Sequence, residues 1–562
     1  MKTSEWLQVV SYFGALLALA PLLGLFMARV FEEKRHPLFF LKPVERAIYK
    51  LAGVDAKREM RWKDYLWALL AFNLLGFLMV FGLQLFQAHL PLNPQNIPRV
   101  PFWLALNTAV SFMTNTNWQA YSGEASLSYL VQMLGLTVQN FVSAATGMAV
   151  LLALARGLSR RCADTLGNFW ADLVRTTVYV LLPLSLLFAV FLVGQGVVQS
   201  FAPYATVTTL EGPQQVIPLG PAASQIAIKQ IGTNGGGFFG ANSAHPFENP
   251  TPLSNFFEML AILLLPAAQI CTFGLLIGRR RHAWALFAVM LLLVLAGFAV
   301  AWVAETSVNP VTGLSAWMEG KETRFGVMNS VLWGTVTSAA SNGSVNAMHD
   351  SFSPLAGLVP LFNILLGEVV FGGVGAGLYG MILFVILTVF LVGLMVGRTP
   401  EYLGKKIEAR EVRLAIIGIL VPGFVILCGA AVALLLPSAR AGMANAGPHG
   451  LSEVLYAYAS AAGNNGSAFA GLNANTPFYN GTLALAMLLG RFGVIIPVLG
   501  IAGGMVRKRV APPNSGNFPT DTAAFAVILT FSLLIVGVLT FFPVLLLGPV
   551  VEHFLMLAGR SF

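Results

Sequence analysis

Ten apolar stretches recur along the chain, and short polar or charged segments separate them. A helix needs about 20 mostly apolar residues to cross the hydrocarbon core of a bilayer. The stretches lie near residues 7–27, 66–86, 130–152, 177–197, 256–278, 284–303, 356–397, 414–436, 482–505 and 522–547. This pattern predicts an all-α polytopic membrane protein with about ten transmembrane helices.

The composition agrees with this prediction and excludes several other classes of protein. Hydrophobic residues make up 56% of the 562 residues and charged residues only 10%, whereas a soluble domain carries about 25% charged residues. A soluble enzyme, a disordered chain and a nucleic-acid-binding domain are therefore excluded. The three cysteines, Cys162, Cys271 and Cys428, are too far apart in sequence to indicate a disulfide framework or a metal motif.

The distribution of basic residues predicts the orientation of the chain. Five segments hold 25 of the 33 Lys and Arg residues: 29–63, 156–175, 279–281, 398–413 and 507–509. Basic residues accumulate in cytoplasmic loops, and placing all five segments there puts both termini outside. A signal peptide is the alternative for residues 7–27, but the basic cluster follows this stretch rather than preceding it, which favours a retained helix.

One apolar stretch, residues 356–397, is too long for a single straight span. As a continuous helix it would extend roughly 60 Å, about twice the hydrocarbon thickness. Two full spans would place the basic segment 398–413 outside, against the charge rule. The glycine-rich run Gly372-Gly373-Val374-Gly375-Ala376-Gly377 therefore predicts a helix broken within the membrane, the alternative being a stretch of small residues at a tight helix contact.

The outside loops contain a fourfold repeat. Each has an Asn-containing segment, and each segment follows a short apolar stretch near 101–113, 221–231, 325–340 or 451–462. Aligned on Asn115, Asn234, Asn342 and Asn465, the segments are 119, 108 and 123 residues apart. This period predicts four units, each consisting of a span, a short helix, a polar loop and a second span.

The repeats and their flanks divide the chain as follows: an N-terminal helix (1–28), a cytoplasmic basic loop (29–65), repeat 1 (66–155), repeat 2 (176–278), repeat 3 with its broken second helix (284–397), repeat 4 (413–505) and a C-terminal helix (521–548).

The four loops have the chemistry of a cation filter. A helix that ends within the membrane directs its negative carbonyl end at the cavity beyond it, and Gly and Asn tolerate the left-handed backbone that aligns successive carbonyls. Rings of backbone carbonyls replace the hydration shell of K⁺ in selectivity filters. We expect Gly235, Gly343 and Gly466 to hold conformations that a β-carbon disfavours. The predicted filter residues are Thr114, Asn115, Thr116, Thr233, Asn234, Gly235, Ser341, Asn342, Gly343, Asn464, Asn465 and Gly466. Ordinary extracellular turns are the alternative, which does not explain four such loops in register.

Long strings around these loops resemble the channel-like, potassium-binding subunits of bacterial Kdp potassium-transporting ATPases. The strings that carry the resemblance are Thr114-Asn115-Thr116-Asn117-Trp118-Gln119, Gly232-Thr233-Asn234-Gly235-Gly236-Gly237-Phe238-Phe239, Asn242-Ser243-Ala244-His245-Pro246-Phe247-Glu248-Asn249-Pro250, Asn346-Ala347-Met348-His349-Asp350 and Ala462-Gly463-Asn464-Asn465-Gly466-Ser467-Ala468-Phe469. The third loop, Ser341-Asn342-Gly343, is less regular than the others, which leaves its side-chain detail open but not its backbone role.

The resemblance implies a location, a transported ion and partners. The protein is expected in the bacterial cytoplasmic membrane, as one of a superfamily of K⁺ transporters with four pseudo-symmetric units around one central pore. It would select external K⁺ and pass it through a tunnel in the membrane to a P-type ATPase catalytic subunit, with two smaller membrane subunits completing the complex. K⁺ is then the only ligand expected on this chain, without an organic cofactor.

The sequence itself contains no nucleotide-hydrolysis motif. Neither an Asp-Lys-Thr-Gly phosphorylation motif nor a Gly-x-x-x-x-Gly-Lys-Ser/Thr loop is present. The longest predicted cytoplasmic loop has about 35 residues, which is too short for a nucleotide-binding domain. We therefore predict that ATP is bound and hydrolysed by the partner subunit and not by this chain.

Several other polar residues are candidates for the ion path. Arg491 lies within a span, where a charge usually faces a cavity, and the resemblance implies a barrier below the filter formed by Arg491 with Gly372, Gly373, Gly375 and Gly377. The alternative for Arg491 is a side chain that reaches the cytoplasmic interface. Glu368 is a candidate for lining the cavity or tunnel, or else a neutral carboxyl bonded to a neighbouring helix.

Other polar residues are candidates for supporting the filter. Gln119 and Gly232 are the predicted supports, although Gln119 is alternatively an interfacial contact without effect on ions. His245, His349 and Asp350 lack metal-ligand spacing, and we expect them to brace the loops.

Three competing functions stay open at this point. The first is a stand-alone or gated K⁺ channel or symporter subunit of the same superfamily, which would conduct without an ATPase chain. The second is a secondary transporter of an organic solute, which inverted repeats would favour; here the repeats are parallel. The third, a membrane scaffold, leaves the four loops unexplained.

Overall fold

The computed structural model describes residues 3–315, 317–397, 399–510 and 518–560. Arg398, the first residue of the predicted basic segment 398–413, and the first two residues of the predicted N-terminal helix lie outside them. The helices are α1 (Thr3–Phe31), α2 (Lys42–Ala52), α3 (Trp62–Phe86), α4 (Phe102–Met113), α5 (Gly123–Ser126), α6 (Val138–Ser159), α7 (Phe169–Arg175), α8 (Leu182–Gly194), α9 (Ala222–Ile231), α10 (Pro252–Leu276), α11 (Arg280–Thr306), α12 (Gly326–Ala339), α13 (Pro354–Leu365), α14 (Ala376–Met395), α15 (Ala409–Leu435), α16 (Pro437–Arg440), α17 (Gly447–Ala462), α18 (Pro477–Met505), α19 (Ala523–Leu545) and α20 (Val551–Leu557). Two antiparallel hairpins supply the strands β1 (Ala205–Thr208), β2 (Gln214–Ile217), β3 (Glu401–Tyr402) and β4 (Lys405–Lys406).

Ten helical stretches of the described residues are long and apolar enough to cross a membrane. The predicted number of about ten transmembrane helices is confirmed. Three stretches extend a named helix through a wider turn: Val131–Ser159 contains α6, Phe169–Gly194 contains α7 and α8, and Ala523–Leu557 contains α19 and α20. The hydrophobic segments of α6 and α10 are mostly buried, whereas few residues of the segment that contains α3 are buried. The core therefore lies around α6 and α10, and α3 presents its side chains to the surroundings.

Polar residues fix where several membrane helices begin. At α10, Thr251 accepts a hydrogen bond from the backbone N–H of Ser254, and the Ser254 hydroxyl accepts one from Thr251 N–H. Thr476 and Thr522 cap α18 and α19 in a similar way. Such caps satisfy N–H groups that a helix leaves unpaired at its first turn, which matters most at the edge of a bilayer.

Four of the short, mostly buried helices in the described part of the chain lead into the Asn-containing loops. They are α4, α9, α12 and α17, with 12, 10, 14 and 16 residues. At 1.5 Å per residue these helices are roughly 15–24 Å long, whereas the hydrocarbon core is about 30 Å thick. Each ends at one of the four Asn-containing loops. The sequence predicts these helices within four residues of their observed ends.

The long apolar stretch 356–397 contains two helices rather than one. α13 ends at Leu365, α14 begins at Ala376, and residues 366–375 between them are irregular. Glu368 and Phe371 have positive φ values of 57° and 64°, in addition to three glycines of this segment. The sequence places the break at 372–377, but the irregular segment begins six residues earlier, and Gly377 belongs to the first turn of α14.

Candidate functional site: a ring of four helix ends

Each of the four short helices ends with the same backbone hydrogen bond. In every case an N–H donates to the carbonyl five residues earlier, as in the Schellman motif. The four bonds run from Thr116 to Ser111 (2.9 Å), from Asn234 to Lys229 (3.0 Å), from Asn342 to Thr337 (2.9 Å) and from Asn465 to Ser460 (2.9 Å). The four donor residues therefore occupy equivalent positions in their loops, and this equivalence follows from the backbone hydrogen bonds without reference to residue type.

This equivalence corrects the alignment of the first loop. The sequence analysis matches residues by type and pairs Asn115 with Asn234, Asn342 and Asn465. The hydrogen bonds instead make Thr116 their equivalent, so the first two loops are 118 residues apart and not 119. Residue type misleads here because a threonine occupies the position that holds asparagine in the other three loops.

The residue just before each of these positions adopts a left-handed backbone. Its φ is 64° at Asn115, 49° at Thr233, 53° at Ser341 and 58° at Asn464. Left-handed conformations disfavour a side chain with a β-carbon, so all four loops hold a strained turn at the same place. The turn ends the helix, and the chain that follows crosses in front of the last carbonyl groups of that helix.

The three predicted glycines are required for two different reasons. Gly235 and Gly466 have φ values of 75° and 87°, in the region that favours glycine. Gly343 does not have a positive φ, so its backbone conformation by itself does not disfavour a β-carbon. A β-carbon at Gly343 would instead lie 2.7 Å from the carbonyl carbon of Gly466, so lack of space accounts for this glycine.

The four loops contact one another in a closed cycle. A β-carbon on Gly235 would overlap the backbone of Gly343 in the third loop, and one on Gly466 would overlap the carbonyl oxygen of Thr116 in the first. The Gly343–Gly466 approach joins the third loop to the fourth. The first and second loops meet where Asn117 Nδ2 donates to Gly235 O (3.1 Å). The loops therefore form a ring in chain order.

Side chains of the predicted filter residues tie the ring together. All of them are buried. The bonds between loops run from Asn115 Nδ2 to Thr233 O (3.3 Å), from Asn342 Nδ2 to Lys229 O (3.2 Å), from Ser341 Oγ to Asn464 O (3.1 Å) and from Asn464 Nδ2 to Thr116 Oγ1 (3.0 Å). Because these side chains bond sideways to neighbouring loops, they fix the backbone of the ring.

The irregular segment 366–375 lies directly against this ring. Val374 N donates to Thr233 Oγ1 (2.9 Å), and Gly372 N donates to Ala339 O (2.8 Å). Gln269 of α10 holds the segment from the other side, since its Oε1 accepts from Gly375 N (2.6 Å) and its Nε2 donates to Gly373 O (3.3 Å). Gln269 is not among the residues predicted from the sequence, although a single glutamine in the middle of an apolar span is a signal of a functional contact.

Arg491 and Glu368 line one cavity beside the ring. Arg491 is 5% exposed, and its Nη2 donates to Ser143 O (3.4 Å). The carboxyl group of Glu368 lies close to Ser341 and Asn465 of the ring, but neither of its oxygens has a hydrogen bond of good geometry in the described part of the chain. The cavity has a volume of about 80 Å³, and Tyr379 and Asn464 also line it. No ion pair joins Arg491 to Glu368 among the described residues.

The sequence of this chain matches a known family over almost its whole length. Residues 10–554 match the family described as KdpA, potassium-transporting ATPase A subunit. This chain belongs to the KdpA family. It is 56% identical to the potassium-transporting ATPase potassium-binding subunit of Leptospira interrogans, over 100% of both chains. The subunit of that name from Rhodospirillum centenum is 59% identical, over 100% of this chain and 99% of the relative.

The KdpA-family chain also shares its fold with a solved structure. The potassium transporter TrkH from Vibrio parahaemolyticus superposes with a TM-score of 0.51 at 15% sequence identity, over 88% of this chain and 97% of that one. At this identity the likeness concerns the arrangement of the membrane helices and not the activity.

Gln119 occupies a supporting position next to the ring of this KdpA-family chain. Its Nε2 donates to Gly237 O (2.9 Å), and its Oε1 accepts from Gly237 N (2.8 Å). This reciprocal pair holds the second loop against the first. Gly232 ends α9, and a β-carbon there would overlap the side chain of Asn234. Both residues thus lie in contact with the second loop of the ring.

The conspicuous histidines are engaged in packing and hydrogen bonding. A hydrogen bond joins His349 to Tyr456 (3.0 Å), and another joins Tyr456 to Ser467 in the fourth loop (2.8 Å). Burial, and then the charge of Lys321, lower the pKa of His349 to about 4, so that its ring is neutral. His245 stacks on Phe239 with ring centroids 4.1 Å apart. These contacts lie behind the loops.

In the described part of the chain, the fold brings together three residues whose side chains can act as metal ligands. Atoms of Asp350, His449 and Glu453 lie within 4.8 Å of one another. Both ring nitrogens of His449 are already paired, one with Asp350 (3.0 Å) and one with Glu552 (2.8 Å). Burial opposes the charge on His449, but these two carboxylates outweigh burial and raise its pKa to about 10. The cluster is therefore satisfied as an ion-pair network.

Proposed function

We propose that this chain binds and selects external K⁺ at the ring of four helix ends and passes it into the membrane to an ATP-hydrolysing partner. The observation that carries the proposal is the closed cycle of four equivalent, buried loops, each at the carbonyl end of a short helix. The names of the relatives, potassium-binding subunits of a potassium-transporting ATPase, support the choice of ion. The proposed filter is the set of twelve residues predicted above.

The chemistry of the loops fits K⁺ better than a divalent cation. Residues 114–117, 233–236, 341–344 and 464–467 contain no acidic or basic side chain. Ca²⁺ and Mg²⁺ sites normally include carboxylates, whereas neutral carbonyl oxygens replace the water shell of K⁺. The four helix carbonyl ends add a negative potential. The ring can therefore hold a monovalent cation without a fixed counter-charge.

The surroundings of the ring suggest a path and a barrier. The segment 366–375 and the charge of Arg491 lie next to the ring and would oppose a straight exit. We assign the barrier to two elements: Arg491 of α18, and the glycines Gly372, Gly373, Gly375 and Gly377. The cavity that holds the carboxylate of Glu368 is the proposed start of a sideways route.

The proposed partners are a P-type ATPase catalytic subunit and two smaller membrane subunits of a Kdp complex. ATP would be bound by the catalytic partner alone. In this assignment the chain lies in the bacterial cytoplasmic membrane with both termini outside, because the basic segments then face the cytoplasm. A stand-alone or gated K⁺ channel or symporter subunit is the second candidate, because a ring of this kind could also conduct without an ATPase partner.

A single β-carbon in the ring tests the proposal. Gly466→Ala introduces strain at a φ of 87° and an overlap with Thr116 O, at a cost of about 1–2 kcal/mol for the backbone alone. We expect the K⁺ concentration for half-maximal uptake to rise about tenfold or more, or Na⁺ to compete. The measurement is ion uptake by vesicles that contain the whole complex, with competing cations.

The matched control is Gly82→Ala in α3, where an added β-carbon meets nothing within 4 Å. Unchanged affinity and selectivity in an assembled Gly466→Ala complex would overturn the filter assignment. Conduction by the purified parent chain without any ATPase partner would favour the second candidate.

A further inference from the structure

The short helix α2 combines an exposed apolar stripe with a basic flank. Val44, Ala47 and Leu51 of α2 and Phe40 of the turn just before it are all exposed, with exposed fractions of 70% for Phe40 and 88% for Leu51. The spacing of three and four residues puts Val44, Ala47 and Leu51 on one side of the helix. Exposure of such an apolar stripe to water is unfavourable. Within the described chain, no other residue covers it.

The charge on the exposed part of α2 is entirely positive. Lys42, Arg46 and Lys50 are at least partly exposed, and the helix has one acidic residue, Glu45. That carboxylate is buried and accepts hydrogen bonds from Arg175 Nε (2.9 Å), Tyr179 Oη (2.7 Å) and Tyr49 Oη (2.9 Å). The three basic residues of α2 therefore have no competing acidic group on their own helix surface.

The contacts of Glu45 also fix the depth of α2. Arg175 and Tyr179 belong to the membrane stretch Phe169–Gly194, roughly 9 and 15 Å along the helix from its first residue. Segment 156–175 carries a basic cluster, which the predicted orientation places on the cytoplasmic side. Through Glu45, α2 is thus held beside the first turns of a membrane helix, and in that orientation it lies near the boundary between the cytoplasmic headgroups and the acyl chains.

We propose that α2 is an interfacial helix that recognises anionic lipid headgroups of the cytoplasmic leaflet. The apolar stripe enters the boundary between headgroups and acyl chains, as amphipathic membrane-surface helices do. Lys42, Arg46 and Lys50 lie on the polar side of the helix, Lys50 nearest to the stripe, and their long side chains pair with lipid phosphates. The anchor at Glu45 sets the rotation of the helix, so that the stripe faces the lipid before any lipid binds. This role is separate from ion selection and does not depend on it.

The test uses the purified full chain in detergent, titrated with phosphatidylglycerol or with phosphatidylcholine. Bound lipids are counted by native mass spectrometry. The variant Lys42→Gln/Arg46→Gln/Lys50→Gln removes the three charges, each of which is worth about a fivefold change in affinity near an anionic surface. We expect its phosphatidylglycerol binding to weaken more than tenfold and its phosphatidylcholine binding to stay as in the parent.

The control removes the same charge from another cytoplasmic cluster. Arg279→Gln/Arg280→Gln/Arg281→Gln affects three exposed arginines, and we expect it to keep the lipid preference of the parent. Leu51→Gln tests the stripe and should weaken phosphatidylglycerol binding with all charges present. An equal loss in both triple variants, or none in the α2 variant, would overturn the proposal.

A protein occupant gives a different result. If the α2 variant lost its association with the ATPase subunit in the purified complex while its lipid preference stayed unchanged, α2 would face a partner protein, and the lipid assignment would be wrong.

Discussion

Some single residues of this protein place a charge inside the membrane region, where an unpaired charge is energetically costly. Arg491 is such a residue, because it is buried, and it donates to the backbone of α6 without an acidic partner among the described residues. A charge kept unpaired in a membrane protein usually serves the ion path. Its position next to the segment 366–375 suits a barrier that lies beyond the ring.

Replacing Arg491 tests the barrier. Two unit charges about 6 Å apart repel by roughly 3 kcal/mol at an effective dielectric constant near 20. Arg491→Gln should therefore let K⁺ leak through the reconstituted complex without ATP, or uncouple transport from ATP hydrolysis. Arg491→Lys keeps the charge but changes its reach, and should be intermediate. The measurement is K⁺ flux into vesicles with and without ATP.

The exposed Arg440 provides the control for Arg491, since Arg440→Gln removes the same charge far from the ring. If both Arg491 variants matched the parent in flux and coupling, the arginine would be structural, and the barrier would have to be assigned to the irregular segment alone.

At the scale of elements, the protein uses helices that stop inside the membrane. The four short helices end at the ring, and the interruption between α13 and α14 lies against the second and third loops. Irregular backbone at this depth is stable only if its polar groups find partners in the protein. Gln269 of α10 supplies two of these partners.

Removal of the Gln269 amide should loosen the segment 366–375. Gln269→Leu keeps most of the side-chain volume but leaves Gly375 N and Gly373 O without that partner, at a cost of about 1–3 kcal/mol for each buried group. We expect faster hydrogen exchange in 366–375 and a raised K⁺ leak. Cys271→Ala, two residues further along α10, is the control. Exchange and leak equal to those of the parent would show that the segment is held by the ring and not by α10.

At the scale of the whole molecule, the ring joins the four repeats on one side and Lys405 joins distant helices on the other. Lys405 Nζ donates to Gly157 O (2.9 Å) and Met505 O (2.8 Å), and also to Arg160 O. These carbonyls belong to the C-terminal ends of α6 and α18, or follow α6 directly, and such ends attract cations. The β3–β4 hairpin thus connects the C-terminal end of α6 with that of α18.

Lys405→Met should lower the stability of the whole chain and leave the ring intact. Loss of the amine leaves three carbonyls without this donor, at a cost of about 1–3 kcal/mol for each that stays buried and unpaired. The expected result is a lower melting temperature in detergent with unchanged K⁺ selectivity of the surviving complex. Lys406→Met, at the exposed neighbouring position, is the control. A melting temperature equal to that of the parent would show that water replaces the amine.

Features that depend on local composition can be predicted from the amino-acid sequence alone. Runs of apolar residues determined the ten spans and the four short helices, because only a long apolar helix can cross the hydrocarbon core. The recurrence of Asn and Gly after each short helix indicated four equivalent loops. The basic segments predicted the orientation, which stays a prediction.

Features that depend on contacts between residues far apart in the chain become visible only in the folded protein. The register of the first loop, with Thr116 in place of Asn115, follows from the backbone hydrogen bonds that end the helices. The need for glycine at 343 comes from the fourth loop, more than a hundred residues later. Gln269 and Lys405 acquire their roles from contacts about 100 to 250 residues away. Hydropathy and residue type report the environment that a segment prefers, whereas these features depend on which backbone groups a neighbouring segment leaves without a partner.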